Sequence, residues 1–288
     1  MKSILLRFFL LSLLSISMRI TVVGQPIKAI VAQKPTLDPD AQAFLSATGI
    51  TDPVLSNALN TLVVSAKTHG WWSSCTAIYP MVGGSSTTCK FNLKDARDLD
   101  AAYRITWNNA SFNSSGPIAN GSNTTWGDTH IAPSTILNPD GMHMSYYSLT
   151  NTNSFAFSDM GSNDGTNRLE LRIFDSNLDQ GFAFVGNSEA FYLSNPGLAG
   201  YFLTTKNSSS SSDCKIYKDG QQISLGAFAS GKPDGMPTGN LALMNTNDGP
   251  IPDMGTPRNC GFATIGLGVT ATLAGAMFAD IQTFVSSK

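Results

Sequence analysis

From Trp71 onward, the chain consists of short segments rich in Val, Ile, Phe, Tyr and Thr, separated by clusters of Gly, Asn, Asp and Ser. Such a pattern is typical of antiparallel β-sandwiches and barrels. Within 167–174, apolar Leu169, Leu171 and Ile173 alternate with charged residues, which indicates a strand with one buried and one solvated face. The pattern predicts strands at 77–81, 102–107, 143–149, 154–158, 168–174, 182–184, 200–205, 215–218, 221–225, 241–245 and 260–265.

Helices are predicted on both sides of this region. Asp52 followed by Pro53 is an N-cap signal ahead of an apolar 3.6-residue repeat, and a shorter helix is expected at 41–47. Near the C-terminus, Thr270 or Thr272 is expected to cap a second amphipathic helix. We therefore predict a mainly β fold, an antiparallel two-sheet jelly-roll sandwich with short N-terminal and C-terminal α-helices packed on its outside.

The N-terminus combines a basic start, an apolar stretch and small residues up to Gly24, which favours a cleaved secretory signal peptide. The alternative is a retained hydrophobic anchor, although the apolar stretch between Arg7 and Arg19 is short for a bilayer crossing. The predicted organisation is a signal peptide or anchor at 1–24, a linker at 25–40, a helical lead-in at 41–70 and the sandwich with its C-terminal helix at 71–288.

Composition restricts the partners and the compartment. Charged residues make up only 13% of the chain and the net charge is −2, so no basic stripe is present and nucleic-acid binding is excluded. A polar but weakly charged surface is common in extracellular and virion β proteins. The four cysteines fit an exported protein with up to two disulfides, for which three connectivities are open. The favoured pairs are Cys75 with Cys89 and Cys214 with Cys260. The chain contains no C-x-x-C pair, so a zinc knuckle is not expected.

Three stretches carry a resemblance to a known family. The segment YFLTTKNSSSSSDCKIYKDGQQI resembles the strand, polar loop and hairpin at the centre of laminin G-like and concanavalin A-like jelly rolls. The stretch from FLSATGITDP to AAYRITW is similar to segments that precede such sandwiches in tail and other virion proteins of bacteriophages, and in proteins of their Bacteroidetes-type hosts. The ending GFATIGLGVTATLAGAMFADIQTFVSSK resembles the closing strand and helix.

The resemblance covers most of 41–288 and implies a lectin-like jelly roll more than any one activity. It also implies that the charged hairpin KIYKDGQQI is scaffold, because Asp219 and Gly220 suit a two-residue turn. Two departures stand out. The family pattern has an acidic residue where Leu267 lies, and it usually lacks cysteine at Cys75 and Cys89.

Catalysis is not expected. Glycan-cleaving relatives of this sandwich place two glutamates and an aspartate on one strand face, whereas Glu170 and Glu189 are the only glutamates here. Around Glu170, the stretch ELRIFD lacks a second glutamate, and Glu189 is expected in a loop. The histidines are scattered and no G-x-S-x-G motif occurs. We predict no enzyme, and an aspartate pair stays open as an alternative.

Two kinds of ligand site are considered. Asp159, Asn163 and Asp164 offer oxygen ligands of the type that calcium prefers, but turn formation explains them better, so no cofactor is expected. Glycan binding requires aromatic rings beside amide and carboxylate groups. The candidates are the aromatic residues and the carboxylate in or beside the polar stretch 108–128, namely Trp107, Trp126, Asp128, Tyr146 and Tyr147. Trp126 is expected to be the exposed platform. The alternative for Trp107 is burial in the core.

The predicted function is that of a non-enzymatic surface or virion structural and adhesive protein, secreted or virion-borne, that binds glycans at a bacterial surface. The alternatives are a purely structural decoration or tail component and, less favoured, a glycan hydrolase or lyase. Expected partners are glycans or other virion or surface proteins. A homo-oligomer and membrane association through the N-terminal segment stay open.

Overall fold

The computed structural model describes residues 36–153, 157–231, 233–248 and 254–288. The predicted signal peptide or anchor at 1–24, the linker up to residue 35 and part of the strand predicted at 154–158 lie outside the described residues. None of the helices in the described part of the chain has the length and hydrophobicity that a bilayer crossing requires.

The helices begin where the sequence places capping residues. Asp52 accepts hydrogen bonds from the backbone of Val54 and Leu55, and Thr270 accepts one from Leu273. The first helix begins two residues earlier than predicted, because Asp38 is its N-cap. The helices are α1 (Pro39–Thr48), α2 (Pro53–Thr68), the single turn α3 (Pro133–Ile136) and α4 (Ala271–Ser287).

Among the described residues, seventeen strands follow α2. In chain order they are β1 (Cys75–Tyr79), β2 (Thr106–Asn108), β3 (Ser111–Asn113), β4 (Gly116–Ile118), β5 (Trp126–Asp128), β6 (Met142–Ser148), β7 (Met160–Asn163), β8 (Arg168–Asp175), β9 (Gln180–Val185), β10 (Ser188–Leu193), β11 (Gly200–Lys206), β12 (Lys215–Lys218), β13 (Gln221–Gln222), β14 (Gly226–Ala229), β15 (Ala242–Leu243), β16 (Thr246–Asp248) and β17 (Cys260–Leu267).

The strands form two large sheets and one small hairpin. The six-stranded sheet has the order β1-β17-β6-β11-β12-β13, and the nine-stranded sheet has the order β14-β10-β9-β8-β7-β15-β5-β2. Strand β16 adds to β7 in parallel, whereas the other ladders are antiparallel. Strands β3 and β4 pair separately. The predicted mainly β, antiparallel two-sheet architecture is confirmed.

Two apolar clusters divide the interior. One lies between the sheets and includes Met144 and Phe202 from the six-stranded sheet and Leu169 and Leu171 from the nine-stranded sheet. The other lies between the outer face of the six-stranded sheet and the helices, where Phe284 of α4 packs edge-to-face on Phe262 at 5.8 Å between ring centroids. The helices therefore cover the outside of the sandwich, on one sheet only.

The hairpin between β12 and β13 forms as predicted. Asp219 and Gly220 both have positive φ angles, 49° and 77°, which a two-residue hairpin turn of this hand requires. The Asp219 carboxylate also accepts the backbone N–H of Tyr201 at 2.9 Å, so the turn is tied to the neighbouring strand β11. This charged hairpin is part of the scaffold.

Several strand boundaries differ from the prediction. The segment predicted as a strand at 102–107 begins with a 3₁₀ turn at Asp100–Ala102, and its strand starts only at Thr106. The strand predicted at 241–245 is shorter than expected, since β15 ends at Leu243 before Met244, which takes a positive φ of 62°. The strands β3, β4, β5, β7, β10, β14 and β16 were missed. Most of them are only two to four residues long and contain Gly, Ser or Asn, which carry little strand signal.

The predicted disulfides are wrong, because all four cysteines are free and buried. Cys75 lies in the cluster under the helices, whereas Cys89 lies in the cluster between the sheets. Cys260 begins β17 opposite Ser148, while Cys214 precedes β12, three strands away in the same sheet. Three strand spacings are about 14 Å, which is beyond the reach of a disulfide.

Candidate functional site

The outer face of the nine-stranded sheet carries a continuous row of residues that face one another across the strands. Leu169 and Leu171 of β8 point into the core, so Glu170 between them points outward. The strand registers place its neighbours on the same outer face. From one edge of the sheet to the other, the row reads Thr106, Asp128, Ala242, Gly161, Glu170, Phe184, Glu189 and Phe228.

One end of this face combines an aromatic ring with polar side chains. In the ladder of β2 and β5, Trp126 lies opposite Asn108, and Asp128 lies opposite Thr106. Trp126 and Asn108 are half-buried and Thr106 is exposed. We call these four residues the Trp126 face. It brings two of the predicted glycan-site residues, Trp126 and Asp128, onto one side of the sheet.

The carboxylate of Asp128 is held by its neighbours. Its Oδ1 accepts the backbone N–H of His130 at 2.8 Å, and its Oδ2 accepts the side-chain amide of Asn240 at 3.2 Å. The His130 ring extends the polar surface, with Nε2 2.8 Å from the Thr106 hydroxyl. His130 has a positive φ of 55°, a conformation that a non-glycine residue seldom takes. The fixed carboxylate can accept hydrogen bonds from a ligand in a defined direction.

Sequence reasoning missed Thr106 as part of this face, and it missed His130 and Asn240 as the residues that hold Asp128. The polar stretch around Trp126 was noticed, but β5 was not predicted, so the ladder that assembles these side chains was not visible. The signal that was available is the alternation of Trp126 and Asp128 around a glycine. Such alternation places both side chains on one face of a strand.

Trp107 does not belong to the Trp126 face, and its predicted glycan role is wrong. It pairs with Gly127 and points toward the core, where it meets Phe112 edge-to-face at 5.5 Å. A Cβ at Gly127 would lie 2.7 Å from the Trp107 ring, so glycine is required for this approach. The alternative interpretation of Trp107 as a packing residue is confirmed.

The two tyrosines of the predicted rim also lie elsewhere, and this part of the prediction is wrong. Both belong to β6 of the other sheet. Tyr146 is fully buried between the sheets and donates its hydroxyl to the Arg258 carbonyl at 2.6 Å. Tyr147 lies under the helices and donates to Gln282 at 2.6 Å. Adjacent strand residues point to opposite faces, and both faces of the six-stranded sheet are covered.

The calcium candidates are engaged in structural contacts instead. Asp159 is fully buried and paired with Arg258 at 3.0 Å, and it also accepts the backbone N–H of Ile173. Asn163 and Asp164 accept backbone N–H groups within their own turn. In the described ranges, no three His, Cys, Asp or Glu side chains are arranged to hold a metal ion. The turn interpretation is supported by these contacts.

The three histidines lie in separate environments. His69 ends α2 and has Nδ1 2.8 Å from the Asp280 carboxylate. His143 is fully buried under the helices, and burial lowers its pKa to about 4. Together with His130 at the Trp126 face, they occupy three distant parts of the fold and share no partner.

The other end of the row carries both glutamates. Glu189 belongs to β10 rather than to the predicted loop, and Phe184 lies between it and Glu170 in the ladder. Burial raises the pKa of Glu189. Glu170 is fully buried and accepts hydrogen bonds from Arg168 at one oxygen and from Arg172 at the other. Both glutamates share a face, but only Glu189 is partly accessible.

Comparisons with known proteins identify no family. No family model matches the chain, and no curated protein matches it. Three of the similar solved structures are domain 4 of AbnA, an extracellular GH43 arabinanase from Geobacillus stearothermophilus in complex with arabinotriose, a Trypanosoma rangeli sialidase in complex with 2,3-difluorosialic acid, and the binding domain of botulinum neurotoxin DC in complex with SialylT.

These similarities are distant. Sequence identity is 14%, 11% and 8%, and the TM-scores are 0.45, 0.39 and 0.35, in the same order. The aligned parts cover 71%, 77% and 71% of this chain. They span 98% of the arabinanase domain but only 39% of the sialidase and 52% of the neurotoxin domain.

Proposed function

We propose that the chain is a non-enzymatic glycan-binding protein whose ligand lies on the Trp126 face. One observation carries the proposal: the β2–β5 ladder places a half-buried tryptophan directly beside an amide, a hydroxyl and a carboxylate on an uncovered sheet face. The apolar face of a sugar ring stacks on such an indole ring, while its hydroxyl groups require hydrogen-bond partners at the ring's edge.

The spacing of the ladder suits one sugar ring. Directly opposite side chains in an antiparallel pair have Cβ atoms about 5 Å apart, and residues two apart along one strand, such as Trp126 and Asp128, are about 7 Å apart. A sugar stacked on Trp126 is therefore within reach of the Asn108 amide and of the Asp128 carboxylate. Because Asp128 is already oriented by His130 and Asn240, less ordering is required when the ligand binds.

The absence of catalysis belongs to the same proposal. A glycoside hydrolase requires two carboxyl groups that both reach the substrate. Glu170 and Glu189 share a sheet face, which favours a hydrolase as the second candidate. However, Glu170 is fully buried and its oxygens are occupied by Arg168 and Arg172. Of the two glutamates, only Glu189 could reach a substrate, and a single carboxyl group does not form the catalytic pair that a glycoside hydrolase requires.

We further propose that the protein is exported and works on a cell or virion surface. The low charged fraction and the resemblance to bacteriophage virion proteins support this location. A purely structural role in a virion is the alternative. It predicts that the Trp126 face binds no sugar at all, so one experiment separates the two.

The experiment is a glycan-array screen of the purified chain followed by titration of the best ligand. The parent is expected to bind saturably, and Trp126→Ala is expected to weaken binding by roughly ten-fold or more, about 1.4 kcal/mol. Trp72→Ala is the matched control, because Trp72 is also half-buried but lies beside Lys94 on another part of the fold.

Equal affinity in the parent and Trp126→Ala would refute the Trp126 face as the site. No binding by the parent to any glycan would favour the structural role. Hydrolysis of a bound glycan that Glu189→Gln abolishes would overturn the non-enzymatic part of the proposal.

A further inference from the structure

The end of the nine-stranded sheet that lies away from the Trp126 face places a carboxylate among aromatic rings. In the ladders of β9, β10 and β14, Glu189 lies directly between Phe184 and Phe228 on the outer face. Phe191, two residues further along β10, points to the same side. The rings of Phe191 and Phe228 are 5.7 Å apart between centroids and inclined by 58°. We call these four residues the Glu189 surface.

The carboxylate of Glu189 has no counter-charge of its own. Within the described part of the chain, no hydrogen-bond donor contacts it and no cation pairs with it. The nearby arginines are engaged elsewhere, since Arg168 and Arg172 both pair with Glu170. Arg172 also pairs with Asp175, so two positive and two negative charges cancel in that group. The negative charge of Glu189 remains unmatched, and burial beside the rings raises its pKa.

One ring of the Glu189 surface already holds a cation. The Arg168 guanidinium lies over Phe184, 3.8 Å from the ring centroid. Aromatic faces attract cations in this way because the ring quadrupole is negative above its plane. No cation of the described residues lies over Phe191 or Phe228, and Phe228 is 47% exposed. Two rings beside an unmatched carboxylate are therefore open to a cation from outside the chain.

A gap beside these rings gives such a cation room. Gly226 of β14 lies opposite Phe191, and a Cβ built there would meet no atom within 4 Å. The strand that carries Gly226 and Phe228 is held on both sides, by β10 in the ladder and by the 3₁₀ turn Ser211–Asp213, which packs against it. The walls of the gap are thus fixed while the gap itself is open to solvent.

We propose that the Glu189 surface is a second binding site, which takes a quaternary ammonium group such as the trimethylammonium of choline. Its methyl groups pack on Phe191 and Phe228 in the gap at Gly226, and its charge is attracted by the rings and by Glu189. A primary ammonium carries three N–H donors that need acceptors, whereas this surface offers a single carboxylate. A quaternary ammonium donates no hydrogen bond, so one carboxylate suffices.

This site is separate from the proposed glycan site. Glu189 on β10 and Asp128 on β5 are five strand spacings apart, about 24 Å. A ligand with one trimethylammonium group does not reach both. The proposal therefore stands or fails independently of glycan binding at the Trp126 face.

The test is an NMR titration of the full chain with choline at constant ionic strength. Saturable shifts are expected at the backbone amides of Glu189, Phe191 and Phe228, and not at Trp126. Two ligands separate charge from shape: the neutral analogue of choline in which carbon replaces nitrogen, and ethanolamine, which keeps the charge but lacks the methyl groups. Both are expected to bind roughly five-fold more weakly or worse. Co-sedimentation with phosphatidylcholine vesicles then tells a lipid headgroup from a free ligand as the source, and both agree with the proposal.

Three variants test the residues of the site. Glu189→Gln is expected to weaken choline binding roughly ten-fold, because it removes the unmatched charge. Gly226→Val fills the gap without changing a charge or a ring, and it is expected to abolish binding. Gly226 does not have a positive φ, so the strand accommodates valine. Asp179→Asn is the matched control, since it removes one negative charge in the exposed turn between β8 and β9 and should leave binding unchanged.

Unchanged unfolding midpoints of the variants separate a loss of binding from a loss of the fold. A parent without saturable shifts at the Glu189 surface overturns the proposal. So does equal affinity for choline and its neutral analogue, because binding would then be merely apolar. A loss in Asp179→Asn as large as that in Glu189→Gln would also overturn it, since the net charge of the chain would explain both.

Discussion

The outer faces of the two sheets differ in whether helices pack on them. On the six-stranded sheet, the outward residues Tyr147, Tyr201 and Phe262 are covered by α1, α2 and α4. On the nine-stranded sheet, the outward residues include Trp126, Phe184 and Glu189, which are half-buried, and Phe228, which is exposed. No helix packs on these residues among the described elements.

This difference in coverage assigns one outer face to folding stability and the other to recognition. A covered face contributes to folding, since its apolar side chains leave water when the helices pack. An uncovered face keeps aromatic rings and polar groups available to a ligand or to another chain. The proposed sugar site at the Trp126 face uses the uncovered end of this second face.

The largest expected effect compares one phenylalanine from each face. Phe284→Ala on α4 removes a ring that is 2% exposed, and it is expected to lower the free energy of unfolding by about 4 kcal/mol. Phe228→Ala removes a half-exposed ring and is expected to cost about 1 kcal/mol or less. Urea denaturation measures both. Equal losses would contradict the division between the faces.

The covered face should also be sensitive to acid. His143 lies under the helices with Nε2 3.1 Å from the Thr264 hydroxyl and its pKa lowered to about 4 by burial. Between pH 6.5 and 4 the unfolded chain binds this proton and the folded chain does not, so stability is lost as the pH falls. The expected loss from this group is about 3 kcal/mol by pH 4.

His143→Gln removes that titration. The difference in unfolding free energy between parent and variant is therefore expected to change across pH 4–6.5 and to be constant above pH 7. Carboxyl groups titrate in both proteins and cancel in the difference. A difference that does not vary with pH would show that His143 is charged, or solvated, in the folded chain.

The smallest expected effect is that of a reductant. All four cysteines are free and buried, and burial raises the pKa of Cys75, Cys214 and Cys260 to about 12. The folded chain is expected to react slowly with thiol reagents, because little thiolate is present. All four thiols should be titrated after denaturation without reductant, and a reductant should leave the unfolding midpoint unchanged. If only two of the four thiols were titrated, the folded chain would contain one disulfide.

Local features of the fold were readable from the sequence because neighbouring residues determine them. The caps at Asp52 and Thr270 and the turn at Asp219 and Gly220 each depend on a few adjacent residues, and all three form as predicted. The strand at Arg168–Asp175 was likewise visible in its alternation. Glu189 was misplaced in a loop, because a glutamate beside Gly186 and Asn187 carries no strand signal of its own.

The candidate site could be predicted only in part from the sequence. Trp126 and Asp128 were selected for their chemistry, but Tyr146 and Tyr147 were selected by the same reasoning and lie in the other sheet. Proximity in sequence to a polar stretch does not tell on which layer a strand lies. The cysteine pairs failed for the same reason, since spacing along the chain says nothing about which side of a sheet a thiol occupies.

The sequence by itself determined the β class, the capped helices and the turns, because periodicity and capping act within a few residues. Only the tertiary structure decided which sheet face is covered, which residues oppose one another across the strands and which thiols stay apart. Those properties depend on strand order and register, in which residues far apart along the chain meet at about 5 Å.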